Sequence, residues 1–321
     1  MIDQRYPTYG WGSLLLDKNI KEWFFEGMTD AVYKEDLLYP VLANVREMTS
    51  LNDVVATFTG GQLYGQHDHM EKARTYEPGS GWQIRMNPLL FKNSFVVPGS
   101  ITQWSQYTMF IQTQMRMLGA YGLITLDYVF VNMLNNAFNA AFPIYDGEPL
   151  ASTSHVLKNA PGVFANRPAT GSPISQESLA EAYEYFMAMP NDDGIKFGMR
   201  PQFLVVPVSQ AIKAAQILNQ TLDPSINNNG TPALATGYSK FGSPTLIVSS
   251  KLTNPNAWFL VAGKSQVSGN GHGLDLYFTP RGYPGTESIP RKDPDHEKHI
   301  GKFEVAPTIM KARGIWANPG S

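Results

Sequence analysis

The sequence contains no cysteine. That excludes disulfides, thiolate metal sites, iron–sulfur clusters and cysteine nucleophiles, and it fits a reducing compartment. Charge is also scarce, at 16 % of residues against about 25 % in average proteins. The net charge of −2 provides no electrostatic footprint for gripping nucleic acid. No basic stretch followed by an apolar run opens the chain, MIDQRYPTYGWGS, so no signal peptide is read there and the chain is expected to stay where it is made. A membrane span wants about twenty nearly uninterrupted apolar residues. The most apolar segment, Ile101–Phe142, is broken by Asp127, Asn132 and Asn135, which argues against one.

Glycine and proline are plentiful, at 28 and 23 of 321 residues, and aromatics reach 12 %. Few charges with many aromatics suit a chain that lays loops and arms against other chains, because interface cores are depleted in charge and enriched in aromatics. The length allows one large domain or two to three small ones, with ample core either way.

The segment Ile101–Phe142 carries the strongest pattern. Trp104, Tyr107, Ile111, Met115 and Leu118, then Leu123, Leu126, Phe130, Leu134, Ala137 and Ala141, keep the spacing of a helical stripe. Such a helix would be on the order of 60 Å long. Gly119 and Gly122 weaken its middle, where a bend or break is expected. A long striped helix outside a bundle suggests a strut in an assembly.

Residues 1–50 read as an arm, with an amphipathic helix over Asp17–Glu35 that places Ile20, Phe24, Met28 and Ala31 on one side. Residues 51–100 read as a long extended hairpin without its own core. Trp82–Asn87 alternates strictly, while Gly60, Gly61, Gly65 and Glu77–Gly81 mark turns. An isolated two-stranded hairpin is marginal, so it needs a neighbour. Tyr145–Pro149 is a tight turn. Ser175 or Ser178 can cap a helix striped by Leu179, Ala182, Tyr183 and Phe186, ended by Asp192–Gly194. Phe203–Pro207 reads as a buried strand, and a helix then runs from Ser209 to about Asn219. Thr245–Ser249, Trp258–Ala262 and Leu274–Phe278 are further strands, and Phe303–Trp316 reads as a returning strand pair. These make an α/β lobe between about 171 and 280.

No segment rises to a catalytic site. His67-Asp68-His69 has metal-ligand types, but a third ligand at an interpretable spacing is missing, and catalytic zinc needs three; a solvated or interface loop is the reading. Asp293–His299 is rich in ligand types, yet His296 and His299 are too close for His-Glu-x-x-His, and Pro290 and Pro294 suggest an exposed turn. Gly263-Lys264-Ser265 lacks the upstream glycine of a phosphate loop, since Trp258 stands there. Gly269, Gly271 and Gly273 miss the dinucleotide fingerprint, Leu274 occupying the last position, and read as a turn. Ser152, Ser154 and His155 are neighbours in sequence only. Catalytic, cofactor and metal residues are therefore all expected to be none.

Three phrases in order carry a resemblance: Asp146–His155 (DGEPLASTSH), Phe203–Pro207 with its helix to Asn219, and Leu252–Leu260 (LTNPNAWFL). Together they resemble the major head subunit of Mu-like tailed phages, within the Hong Kong 97-type capsid family. The likeness is closest between about 125 and 265 and weakest in the first hundred residues. It implies an α+β fold with an N-terminal arm at 1–50 and an extended β-hairpin loop at 51–100. A peripheral domain with a long spine helix would span 101–170 and 281–321, and an axial α/β domain 171–280. It implies a structural protein, not an enzyme, that assembles with itself into pentamers and hexamers. These would close into an icosahedral shell around double-stranded DNA, bound without sequence specificity and away from membranes, as a precursor shell that expands on packaging. Portal and decoration proteins are implied partners. Because no scaffold-like segment precedes the arm, scaffolding is expected from a separate protein. The implied location is the virion, after assembly in the bacterial cytoplasm.

Some members of the wider family join subunits covalently through a lysine in the extended loop and an asparagine in a neighbour. Lys72 and Lys92 lie in that region, but neither aligns with that lysine, and non-covalent locking is the expectation. The competing readings are an encapsulin-like compartment shell, a metal-dependent hydrolase using His67, Asp68 and His69, and a trimeric adhesion module.

Overall fold

A computed structural model describes residues 11–29, 36–49, 53–59, 75, 79–98, 107–196, 198–219, 243–264, 271–280, 282, 284–290 and 296–321. In chain order the elements are α1 (Trp11–Thr29), α2 (Tyr39–Leu42), β1 (Asn44–Glu47), β2 (Val54–Thr59), β3 (Gly79–Arg85), β4 (Leu89–Pro98) and α3 (Tyr107–Asn135). They continue with β5 (His155–Val156), β6 (Val163–Phe164), α4 (Gln176–Ala188), β7 (Pro201–Pro207) and α5 (Ala211–Asn219). The last are β8 (Thr245–Ser249), β9 (Trp258–Ala262), β10 (Leu274–Phe278), β11 (Gly285–Pro290), β12 (His296–Ile309) and β13 (Ile315–Asn318).

The long helix α3 has 29 residues, about 44 Å of axis, so it stops short of the Phe142 expected from the stripe. Its end is set by asparagines, whose side chains compete with the helical ladder. Asn136 Nδ2 donates to the Asn132 carbonyl, Ala141 N donates to Asn139 Oδ1, and Asn135 turns outward to bond Lys251 O and Thr253 N. By length and composition α3 could cross a membrane, but half of its most apolar window is buried inside the protein, with the fully buried Asp127 among the covered residues.

Neither glycine breaks it, and the helix runs on through both. Gly119 is where α1 crosses α3: a Cβ there would meet the Phe24 carbonyl oxygen, and one on Gly27 would meet the Arg116 carbonyl. The helix α1 begins earlier than the expected Asp17 and lies on the spine of its own chain. Ile20 and Phe24 are buried in one cluster with Val97, Ile111, Met115 and Leu118.

Two sheets organise the remainder. In the first, β12 is the shared long strand. On one side it pairs with β4 from His296↔Pro98 to Val305↔Leu89. On the other it pairs with β11 and then β10, and β1 adds parallel to β10. Glu304 and Met310 donate their N–H groups towards the β10 side, so residues 305, 307 and 309 face the side of β4. No strand among the described residues follows β4 there, and the residue at that place is Pro307, which has no N–H.

In the second sheet the order is β13-β9-β7-β8, with β7 parallel to β8 and antiparallel to β9. Its two faces feed two cores. Val205, Phe259, Val261, Ile315 and Ala317 join Leu126, Phe130, Val131 and Leu134 of the spine. Leu204, Val206, Trp258, Leu260 and Trp316 join Leu179, Ala182, Phe186 and Ala214 of α4 and α5. Ser175 caps α4 in a reciprocal box with Ser178, both serines the sequence suggested taking part.

Several expectations change at this level. Phe303–Trp316 is not a strand pair, because β12 and β13 belong to different sheets. His299 is not on an exposed turn: it sits inside β12, 1 % exposed, on the inward alternation with Phe303 and Val305. The hairpin β2–β3 does have support at its base, where Val55 and Ile84 pack on Met48, Met86, Tyr277, Ala306 and Met310 of the same chain.

Candidate functional site

The Asp146–His155 phrase folds into a buried knot where the spine, the second sheet and the C-terminal segment meet. Gly147 takes φ +85°, a left-handed conformation suited to glycine, and Ile144 N closes the turn onto Glu148 O at 2.8 Å. The turn brings Asp146 and His155 together. His155 Nδ1 lies 2.6 Å from Asp146 Oδ2, with both side chains fully buried. Its Nε2 lies 3.1 Å from Leu150 O, and the ring stacks on Phe164. Ser152 Oγ donates to Glu148 Oε2 rather than to His155, so hydroxyl and imidazole are not a nucleophile–base pair. Asp146, Glu148, Ser152 and His155 are spent on holding the phrase's own shape.

Around it, Asn166 joins three segments. Its Nδ2 donates to Leu150 O and Ala312 O, its Oδ1 accepts from Ser152 N, and its carbonyl accepts from Ala317 N. Arg313 forms a two-pronged bond to Asp192, at 3.0 and 2.5 Å, with its guanidinium over Phe164. Tyr145 Oη accepts from Ala312 N, and burial pushes this phenol up to about 12. Tyr145 also packs on Trp82 of β3, which Lys158 covers from above, seating the hairpin on the knot.

The other two phrases are supports as well. Phe203–Pro207 lies within the central strand β7. Before β9, Asn254 Nδ2 and Asn256 Nδ2 donate to Pro319 O and Ser321 O. Just upstream, Lys251 Nζ reaches the buried Asp127 at 2.7 Å, and Tyr39 N donates to the other carboxylate oxygen. Three regions therefore meet on one aspartate of the spine.

A second polar cluster lines the parallel β1–β10 pair. Asn44 Nδ2 donates to Asp275 Oδ1, and Arg46 approaches the same carboxylate at 3.3 Å. Burial holds Asp275 above the usual carboxylate range and pulls the nearby Lys311 down. Burial, then the Lys264 ammonium, pushes the His272 imidazole down to about 4.

The chemistry-bearing candidates are not gathered. His67, Asp68, His69 and Lys72 lie outside the described residues, as do Ser265 and Gly269. Lys264 Nζ is bound to Pro40 O, and a Cβ on Gly273 would collide with Lys311 N; the glycine serves a close strand approach. Lys92 stands opposite Lys302 across β4–β12, with Lys302 salt-bridged to Glu287. Among the described residues no group of three or more His, Cys, Asp or Glu could hold a metal. A groove of about 1170 Å³ runs between the hairpin, the spine and the end of β12, lined by Ile84, Phe91, Tyr128, Phe142 and Ile309. Its polar lining is amides, threonines, Tyr128, Tyr145, Arg85 and Lys251, with no carboxylate.

The outer surface is more telling. Met109, Met117, Tyr121 and Tyr128 on the spine, with Phe25 on α1, leave 42–66 % of their surface exposed, the residue types that interfaces collect. The sequence reading missed Asp127–Lys251, Asn166 and Arg313–Asp192 as organising contacts. Asp127, the one charged residue in the apolar second half of the spine, was a visible signal.

The model of the family described as "Phage capsid protein" matches residues 104–318. No curated protein matches the sequence. Among solved structures, the chain is similar to the capsid of Ralstonia phage GP4, at 12 % identity and TM-score 0.55, covering 90 % of this chain and 92 % of that one. It is similar to a structure of Mycobacterium phage Patience, at 12 % identity and TM-score 0.53 over 92 % and 86 % of the two chains. A virus-like particle from Pyrococcus furiosus aligns at 10 % identity and TM-score 0.50, over 94 % and 99 %. At such identities the likeness shows the fold, which is the α+β fold of Hong Kong 97-type capsids. The matched span takes in the spine, the knot, the second sheet and strands β10–β12 of the first, and the chain accordingly belongs to the phage capsid protein family.

Proposed function

We propose that the protein is the major capsid protein of a tailed phage, assembling as pentamers and hexamers into an icosahedral head around double-stranded DNA. The family match over 104–318 carries this reading. Two physical features support it. The exposed aromatic and methionine surface of the spine and α1 is of the kind that calls for burial against other chains. The near-neutral charge suits a container that must not grip its genome tightly. Portal, scaffolding and decoration proteins are its proposed partners, and the host cytoplasm the place of assembly, with 1–50 as arm, 51–100 as extended loop, 101–170 with 281–321 as peripheral domain and 171–280 as axial domain. Heterologous contacts that close by rotation make the rings, and stability then depends on the assembly.

A compartment shell is the second reading, favoured by the likeness to the Pyrococcus furiosus particle. Negative-stain electron microscopy with sedimentation of the chain expressed alone tests the first point. Closed or aberrant shells, tubes or capsomer rings are expected, and a monodisperse monomer or trimer, persisting with a scaffold supplied, overturns it. In particles recovered from phage, packaged DNA separates a head from a cargo compartment.

A further inference from the structure

We propose that the exposed flank of α5 docks on the exposed flank of α4 in a second copy of this chain, a head-to-tail contact that closes into a ring. The proposal rests on the shell reading and names the residues through which neighbouring copies meet.

Both helices cover the same face of the second sheet, but at opposite ends. α4 packs beside β13, whereas α5 packs on β7 and β8, and β13 and β8 are the two edges. Each helix turns one side inward: Leu179, Ala182 and Phe186 from α4, and Ala214 from α5, enter the common core. The other sides face away from the sheet, over its two opposite edges.

The two flanks are unlike and complementary. On the α5 side Val208 and Ile212, one helical turn apart, are 60 % and 76 % exposed, with exposed Lys213 next to them. Single exposed apolar residues are ordinary; two stacked on one turn beside a cation make a knob. On the α4 side Glu177, Glu181 and Glu184 recur at i, i+4 and i+7, all exposed. Like charges at that spacing repel, and none of the three is salt-bridged among the described residues. Beside them, one turn beyond Glu181, lies Tyr185, seated on Trp316 with nearly half its surface free. An acidic flank repels its own copy, which disfavours a two-fold contact, while Ile212 on the Tyr185 ring and Lys213 on the glutamate row satisfy both flanks. A contact joining opposite ends of a lobe is heterologous, and such contacts make a ring where their rotation closes.

Charge swapping in the full chain tests this. Assembly of the parent is compared by sedimentation and electron microscopy with Ile212→Asp, Lys213→Glu, Glu181→Lys and the double variant Lys213→Glu/Glu181→Lys. Ile212→Asp is expected to raise the concentration needed for rings or shells about tenfold or more, each single reversal to weaken assembly, and the double variant to restore it. Circular dichroism and melting should match the parent, since the substituted residues are exposed. Parent-like assembly by Ile212→Asp, or a double variant no better than the singles, overturns the contact. Should Ile212→Asp fail to fold, the charge-swap set decides alone. A parent chain that fails to assemble even with scaffold overturns the shell reading itself, and this contact with it.

Discussion

Gly119 on the spine lies so close to Phe24 on α1 that a Cβ added to it would stand 2.1 Å from the Phe24 carbonyl oxygen. One helical turn on, Gly122 faces open space, with only Phe24 Cζ at 4.0 Å, beside a cavity of about 100 Å³. The two glycines thus have opposite value in one helix.

Gly119→Ala is expected to force α1 and the spine apart and to cost about 1–3 kcal/mol. Gly122→Ala should stabilise by about 1 kcal/mol, since alanine is the better helix former and the space exists. Chemical denaturation of the unassembled subunit reads both, and equal effects would show that the helices do not cross at Gly119.

Asp127→Ala leaves Lys251, 7 % exposed at its side chain, with only the exposed Asp36, whose carboxylate is 4.0 Å away, and it frees the Tyr39 N–H. Removing one partner of a buried pair costs about 3–5 kcal/mol. The double variant Asp127→Leu/Lys251→Met should recover much of that loss, because no uncompensated charge stays buried. The same denaturation cycle checks it; additive losses would mean the two groups do not interact.

Asn166→Ala should cost about 1–3 kcal/mol, because it strands the buried Ser152 N and the Ala312 carbonyl, while Leu150 O keeps His155 Nε2. Hydrogen exchange is expected to rise first at Ser152.

Acid should weaken the subunit partly through His272. With its folded value near 4 and an unfolded value near 6.5, the unfolded chain binds more protons between those values. Stability is therefore full above about pH 6.5 and falls as the pH drops towards 4, by roughly 3 kcal/mol at most. Asp275, raised by burial, binds its proton more readily when folded and offsets part of the loss. Melting scans across pH 4–7 should show a flatter slope for His272→Gln than for the parent.

Much of the lobe was legible. Thr245–Ser249, Trp258–Ala262 and Leu274–Phe278 are short, mostly apolar runs and form strands with those limits, and the α4 stripe points inward as its spacing says. Which sheet each strand joins was not legible, since β9 and β10 read alike but lie in different sheets. β12 was hidden because Gly301 and Pro307 interrupt its alternation. The end of α3 was misjudged because an apolar stripe carries on past asparagines that leave the helix. The organising pairs had no local signature: Asp127 and Lys251 are 124 residues apart, and Asn166 and Ala312 are 146 apart.

Pro307 bears on what the subunit does before it assembles. An uncovered strand edge is a template on which a second chain can add, and then a third, growing fibres instead of particles. A capsid subunit that accumulates before particles close runs that risk. By placing a residue that cannot donate where β4 departs, the chain denies such growth a starting hydrogen bond. Copies are left free to find one another through side chains, whose geometry ends in closure.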